Sequence, residues 1–117
     1  DSPQMADELL ALVLAGTKTA TCGALRDFPD AGARPQVGRR DVVLNGQGRR
    51  AALIETVEVT VCRFDQVDEK FAFEEGEGSR TLSEWRESHR VYFERNGGFS
   101  PDMDLLCERF RLIEILS

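Results

Sequence analysis

The sequence is short of the residues from which metal sites and hydrolytic dyads are usually built. His89 is its only histidine, and Cys22, Cys62 and Cys107 are far apart, with no CxxC pair. A single histidine excludes any site that needs two imidazole ligands, and the sequence shows no metal-ligand constellation. We therefore expect no metal and no cofactor, a packing or surface role for His89, and a small buried hydrophobic role for Cys22.

Long apolar runs and phosphate-binding glycine loops are also missing. No segment approaches the ~20 consecutive apolar residues of a membrane helix, and no secretory leader is recognisable. The odd number of separated cysteines is typical of free thiols in a reducing compartment. The acidic run EEGEGS contains glycines, but its carboxylates would repel phosphate. These absences predict a cytoplasmic protein with no membrane partner.

The net charge limits the partners further. It is −6 at pH 7, whereas general binding to duplex nucleic acid depends on neutralising phosphates with basic side chains. A small nucleoside or a locally basic groove is compatible with this charge. Arginines do cluster, although such runs usually mark a solvated face; they are Arg34, Arg39, Arg40, Arg49, Arg50, Arg86, Arg90 and Arg95.

Apolar periodicity predicts the elements of the first third of the chain. Residues 4–15 have a helical apolar stripe, and Gly16 is a natural C-terminal stop. Residues 17–25 are β-prone and follow directly as a strand. Residues 26–38 are rich in Pro, Gly and Asp and indicate a long loop.

The middle of the chain predicts a β-hairpin over residues 41–64, turning at Asn45–Gly48. Its second arm does not keep one strict alternation of apolar residues. A bulge near Glu55–Thr56 would restore the register, as expected in a strand that bends around a small barrel.

The last third of the chain adds two helices and a strand. Asp65 is positioned to cap a short helix over residues 65–75. Thr81–Glu84 fits a capping box that opens a helix ending near Asn96. Residues 104–116 alternate as a closing strand. The order of elements predicts an α+β fold with a curved or barrel-like, mostly antiparallel sheet, organised as one domain over residues 1–117.

The segment TKTATCG, directly after the first helix, contains the best candidates for chemistry. On composition alone, Lys18 is explained by the dipole at the helix end, and the threonines by strand propensity. A functional site would need a hydroxyl nucleophile, an amine, and a carboxylate that transfers protons. Glu74, Glu75 or Glu77 could supply the carboxylate, and their mutual repulsion predicts a raised pKa for at least one of them.

Four stretches of the sequence together resemble the ASCH-domain family. They are LAGTKTATCG, VGRRDVVL, RFDQVDEKFAFEEGEGSRTLSEWRESHRVYF and CERFRL, and the resemblance runs from about residue 7 to residue 112. It implies a PUA-like β-barrel flanked by helices, with a cleft lined by the Lys-Thr motif. Small bacterial members of the family remove acetyl from N(4)-acetylcytidine with a lysine, a threonine and a glutamate. Other members are linked to cleavage of single-stranded RNA.

The resemblance carries this catalytic set over to Lys18, Thr21 and Glu75. The spacing from Ala72 favours Glu75 over Glu74. The small amidohydrolases tend to have an arginine two residues after the threonine, where this chain has Gly23, so contacts of that arginine are not implied here.

Two functions follow as hypotheses. The first is an amidohydrolase that deacylates a modified nucleoside such as N(4)-acetylcytidine, with Thr19, Trp85 and Arg86 contacting the substrate. The alternative is a module that binds single-stranded RNA in the same cleft, with or without ribonuclease activity, in which Trp85 stacks on an unpaired base. Neither hypothesis fixes the oligomeric state.

Overall fold

A computed structural model describes residues 2–116, which form an antiparallel sheet with helices packed against it. The strands are β1 (Ala20–Ala24), β2 (Arg40–Leu44), β3 (Arg50–Arg63) and β4 (Asp104–Ile115), and the helices are α1 (Pro3–Leu14), α2 (Glu69–Glu75) and α3 (Leu82–Arg95). The sheet order is β1-β4-β3-β2, with every neighbouring pair antiparallel. The predicted α+β class is confirmed, although the four described strands form a curled half-barrel rather than a closed barrel.

The long strands bend where the pairing register shifts. On β3, the shift between Thr56 and Glu58 leaves Val57 without a register partner on β4, and a second shift follows Leu53. Each shift is a bulge that increases the local twist and lets the sheet curl. The first lies within a residue of the bulge predicted from the broken alternation.

Helix α2 begins later than the sequence suggested. Asp65 was the predicted cap, but Asp68 accepts the hydrogen bond from the amide of Phe71 at 2.9 Å. Residues 64–66 instead form a 3₁₀ turn, and Val67 is extended, which separates that turn from the helix. Asp65 pairs with Arg63 at 2.7 Å. The prediction was wrong because both aspartates have the spacing of a cap, and backbone conformation decides between them.

Helix α3 begins at the predicted residue. The Thr81 hydroxyl accepts from the amide of Glu84 at 3.2 Å. The second half of the capping box is altered, since the Glu84 carboxylate accepts from the amide of Ser79 rather than that of Thr81. This bond ties the acidic loop before α3 to the helix.

The main core lies between α2, α3 and the β1–β4 half of the sheet. Its ten buried residues are Ala20, Ala24, Phe64, Val67, Phe71, Ala72, Trp85, Phe93, Leu105 and Cys107. A smaller cluster of Leu10, Ala51 and Ala52 lies under α1. Burial of each large apolar side chain contributes about 1.5–3 kcal/mol, so the larger cluster fixes α2 and α3 on the sheet. No helix within residues 2–116 combines the length and apolar character needed to cross a membrane.

Candidate active site

Lys18 lies in the turn between α1 and β1, not in the strand. Gly16 has a φ of 77°, and the amides of Thr17 and Lys18 both donate to the Leu12 carbonyl at 2.9 and 3.0 Å. A left-handed glycine allows this reversal at little steric cost. Because β1 begins only at Ala20, Lys18 is not bound by the alternation of a flat strand.

The end of α2 is attached to this turn by several polar contacts. Thr19 donates its amide to the Glu74 carbonyl at 2.8 Å. The Lys18 ammonium donates to the Glu75 carbonyl at 3.2 Å and to the Glu77 carboxylate at 2.8 Å. Gly76 ends α2 with a φ of 75°, and a Cβ there would collide with the Thr17 carbonyl oxygen. A glycine at this position therefore lets the two segments touch.

Glu75 is a buried carboxylate, with 2 % of its surface exposed. Its Oε2 accepts from Trp85 Nε1 at 3.2 Å and lies 3.1 Å from His89 Nε2. Its Oε1 has no hydrogen-bond partner among the described residues. One carboxylate oxygen is therefore held in place and the other is unengaged.

Opposing effects set the charge of Glu75. Burial alone would raise its pKa, but the hydrogen bond from His89, the charges of Lys18 and His89, and the hydrogen bond from Trp85 outweigh burial and lower it. The sequence predicted a raised pKa among the neighbouring acids, and for Glu75 the shift has the opposite sign. The carboxylate is ionised at neutral pH and able to accept a proton.

Thr21 and Glu75 line one open cleft of about 420 Å³ between α1, β1 and α3. Glu77 and His89 also line it, whereas Lys18 is not among the lining residues and is linked to the cleft by its ion pair with Glu77 at 2.8 Å. The cleft thus contains the Thr21 hydroxyl and the ionised Glu75 carboxylate, and the Lys18 ammonium lies next to it, paired with Glu77. Glu74 points elsewhere, because its Oε1 accepts from Arg109 at 2.8 Å.

A family model for the ASCH domain matches residues 1–114. The chain belongs to the ASCH domain family. This ASCH domain is similar to the crystal structure of an ASCH domain from Lactobacillus crispatus JV V101, with 36% identity, a TM-score of 0.88, and coverage of 96% of this chain and 74% of that one. It is also similar to protein EF3133 from Enterococcus faecalis V583, with 34% identity, a TM-score of 0.86, and coverage of 97% and 72%. No curated protein matches it.

Three residues that were expected to contact substrate lie outside the cleft lining of this ASCH domain. Trp85 is 6% exposed, and its ring packs in the core against Phe64 and stacks on His89. Its ring faces are therefore covered by protein, and stacking of a base on Trp85 would require the ring to move. Arg86 lies at a shallow depression on another side of α3, and Thr19 is half-buried with its backbone bonded to α2.

Two cleft residues were missed by sequence reasoning. His89 was given a packing or surface role, yet its ring is the hydrogen-bonding partner of Glu75. Tyr92 is 57% exposed at the same cleft, and is the aromatic ring that a substrate could touch. Helical spacing was the available signal, because 85, 89 and 92 lie on one face of α3.

The ASCH domain also brings together three side chains able to bind a metal. Cys22 of β1, Glu75 of α2 and His89 of α3 have ligand atoms within 4.8 Å of one another. The expectation that one histidine precludes a metal-ligand set is therefore corrected. Burial, followed by the charge of Glu75, raises the pKa of the Cys22 thiol well above its usual range, so the free thiol is protonated.

Proposed function

We propose that this ASCH domain is an amidohydrolase that removes an acyl group from the exocyclic amine of a nucleoside, with N(4)-acetylcytidine as the first substrate to test. The observation that carries this proposal is the ionised, buried Glu75 carboxylate, with an unengaged Oε1, in a cleft shared with the Thr21 hydroxyl. Such a pair can deprotonate a nucleophile and return the proton to a leaving group.

The chemistry follows from these charges. Glu75 Oε1 takes the proton of the Thr21 hydroxyl as its oxygen attacks the acyl carbonyl. Lys18, paired with Glu77, is an ammonium donor for the resulting oxyanion. Collapse of the tetrahedral intermediate breaks the C–N bond, and Glu75 gives the proton to the departing amine. Glu75 then takes a proton from a water molecule, whose oxygen attacks the ester carbonyl on Thr21. As the ester bond breaks, Glu75 returns the proton to the Thr21 oxygen, and the acyl group leaves as a carboxylic acid.

The experiment measures cytidine release from N(4)-acetylcytidine. Loss of the base or of the oxyanion donor costs roughly 10²–10³-fold in kcat. We expect such losses for Glu75→Gln and Lys18→Met, and loss of turnover for Thr21→Val with partial recovery in Thr21→Ser. Matched controls are Lys70→Met on the exposed face of α2 and Thr60→Val on β3, both exposed and outside the cleft lining. Full turnover by Thr21→Val would refute the mechanism.

Binding of single-stranded RNA is the second function from the sequence, and the charges of the cleft weigh against it. Asp27, Glu75 and Glu77 line the cleft and would repel a phosphate backbone. Several arginines already pair with carboxylates, at 2.5–3.0 Å; they are Arg39, Arg40, Arg63, Arg90, Arg109 and Arg111. RNA binding that weakens steeply with salt, without nucleoside turnover, would favour this function instead.

A further inference from the structure

The polar contacts of His89 leave a cation-binding position beside Glu75. Nδ1 of His89 lies 2.9 Å from the Trp85 carbonyl oxygen, which can only accept a hydrogen bond. Nδ1 therefore carries a proton, and in a neutral ring Nε2 presents a lone pair. That lone pair faces Oε2 of Glu75 at 3.1 Å. A hydrogen bond from His89 places a proton between these two atoms, and a metal cation bound by both of them would replace that proton.

The surroundings match the second shell of a metal site. A histidine that binds metal through one nitrogen usually donates its other N–H to a carbonyl or a carboxylate, as His89 does to Trp85. Trp85 Nε1 donates to the Glu75 carboxylate, which fixes the second ligand. Glu75 Oε1, 2% exposed as a residue and without a partner among the described residues, adds a free oxygen donor. Cys22 completes the group from β1.

We propose that Zn²⁺ binds between Cys22 Sγ, the Glu75 carboxylate and His89 Nε2, with its remaining position open to the cleft. Sulfur, nitrogen and carboxylate donors in one group favour zinc over magnesium or calcium. Zinc–ligand bonds of about 2.0–2.3 Å place tetrahedral donors about 3.3–3.8 Å apart. Glu75 Oε2 and His89 Nε2, 3.1 Å apart, are already near this spacing, and a donor pair at the 4.8 Å limit would have to close by roughly 1–1.5 Å.

The positive charge of Lys18, close to Glu75, does not prevent a cation from binding at this group. Zn²⁺ carries two positive charges, and a Cys22 thiolate and the Glu75 carboxylate together cancel both. The bound group is therefore neutral in total, and the Lys18 ammonium meets no net positive charge there.

Zinc and the proposed hydrolysis share Glu75. Occupancy engages the carboxylate and removes the base, so we expect Zn²⁺ to inhibit deacylation. Binding itself needs no substrate and is measured without one. Zinc binding can thus fail while turnover persists, or the reverse, which keeps the two proposals distinguishable.

The test titrates chelator-treated protein with Zn²⁺ by calorimetry in two buffers of different ionisation enthalpy. We expect one site, with proton release because a thiol must lose its proton to bind the metal. Co²⁺, as a spectroscopic substitute, should give a thiolate-to-metal charge-transfer band in the unmodified protein. Cys22→Ser and His89→Gln should each weaken binding by at least about tenfold, as expected when a ligand is lost. Cys62→Ser is the matched control, because Cys62 lies outside this group.

Three results would overturn the zinc site. One is no binding at micromolar Zn²⁺. Another is a Co²⁺ complex without the charge-transfer band, which excludes Cys22 as a ligand and does not depend on any variant folding. The third is unchanged affinity in Cys22→Ser, with urea unfolding used to verify that each variant is native.

Discussion

The Lys18 ammonium donates to the main-chain carbonyl of Glu75 at 3.2 Å, across a sequence separation of 57 residues. Lys18 is 7% exposed and Glu75 2%, so the bond closes a buried contact between the end of α1 and the end of α2. The same two residues stand in the proposed oxyanion and base roles. A substitution at Lys18 or Glu75 can therefore affect both stability and turnover, and both must be measured in each variant.

Lys18→Met tests that link. The thioether side chain keeps the volume but removes the charge-assisted bonds to Glu75 and Glu77. We expect the free energy of unfolding to fall by about 1.5–3 kcal/mol, while turnover falls far more than this loss explains. Urea unfolding and cytidine release measure the two effects. Equal activity per folded molecule in Lys18→Met and the Lys70→Met control would show that Lys18 is only structural.

Gly76→Ala tests the close approach of α2 to the turn. Both a positive φ and a collision with Thr17 oppose the added Cβ. Gly16→Ala is a matched control, because Gly16 also has a positive φ, 77°, but nothing within 4 Å of its Cβ position. We expect Gly16→Ala to cost about 1 kcal/mol and Gly76→Ala clearly more, with loss of turnover only in the latter. Equal costs in urea unfolding would contradict the contact.

Glu55 provides a test of pH dependence away from the cleft. Hydrogen bonds from Arg111 and Arg40 hold the pKa of this carboxyl below its usual range. Such a group adds stability that is present above its unfolded pKa, about 4.3, and lost as pH falls through the folded value. Glu55→Gln should therefore unfold in less urea at pH 7, and the difference should shrink below pH 4.

The control for Glu55 is Glu8→Gln. Glu8 accepts from the uncharged Gln4 on the surface of α1. We expect its urea midpoints to follow those of the unsubstituted protein closely from pH 7 to pH 3. If the urea midpoint of Glu55→Gln stays below that of the unsubstituted protein by the same amount from pH 7 to pH 3, the role assigned to Arg40 and Arg111 is refuted.

The different burial of the cysteines predicts the order in which they are alkylated. Burial raises the pKa of Cys107 to about 12, whereas Cys62 is half-buried with a smaller rise that is also mainly due to burial. Since the thiolate is the reactive form, Cys62 should be alkylated before Cys107 at pH 8 in the native protein. Peptide mass spectrometry after timed iodoacetamide treatment measures the order. Comparable rates in urea would confirm that folding sets the difference.

Sequence patterns predicted what is local in this fold. The strand order within the hairpin, the Thr81 cap and the bulge in β3 all depend on residues a few positions apart. The choice of Glu75 over Glu74 depended on the family spacing, and the structure points Glu74 at Arg109 instead. What the sequence could not provide was the meeting of Cys22, Glu75 and His89, because three elements far apart in the chain converge there.

The burial of Trp85 was also beyond the reach of sequence patterns. An aromatic residue on an amphipathic helix fits both a buried and an exposed face, and only packing against Phe64 and His89 decides. The sequence predicted no metal-ligand group because it has only one histidine. That prediction overlooked a cysteine and a glutamate that other elements of the fold bring next to His89. Tertiary contacts thus determined the parts of the site that pattern reading missed.

The packing of Trp85 makes it an optical reporter. It is the only tryptophan of the chain, its ring centroid is 4.1 Å from that of His89, and its indole N–H is bonded to Glu75. Emission from the unlabelled protein should therefore change in real time whenever a ligand or a metal ion alters the contacts of His89 or Glu75 with the indole ring.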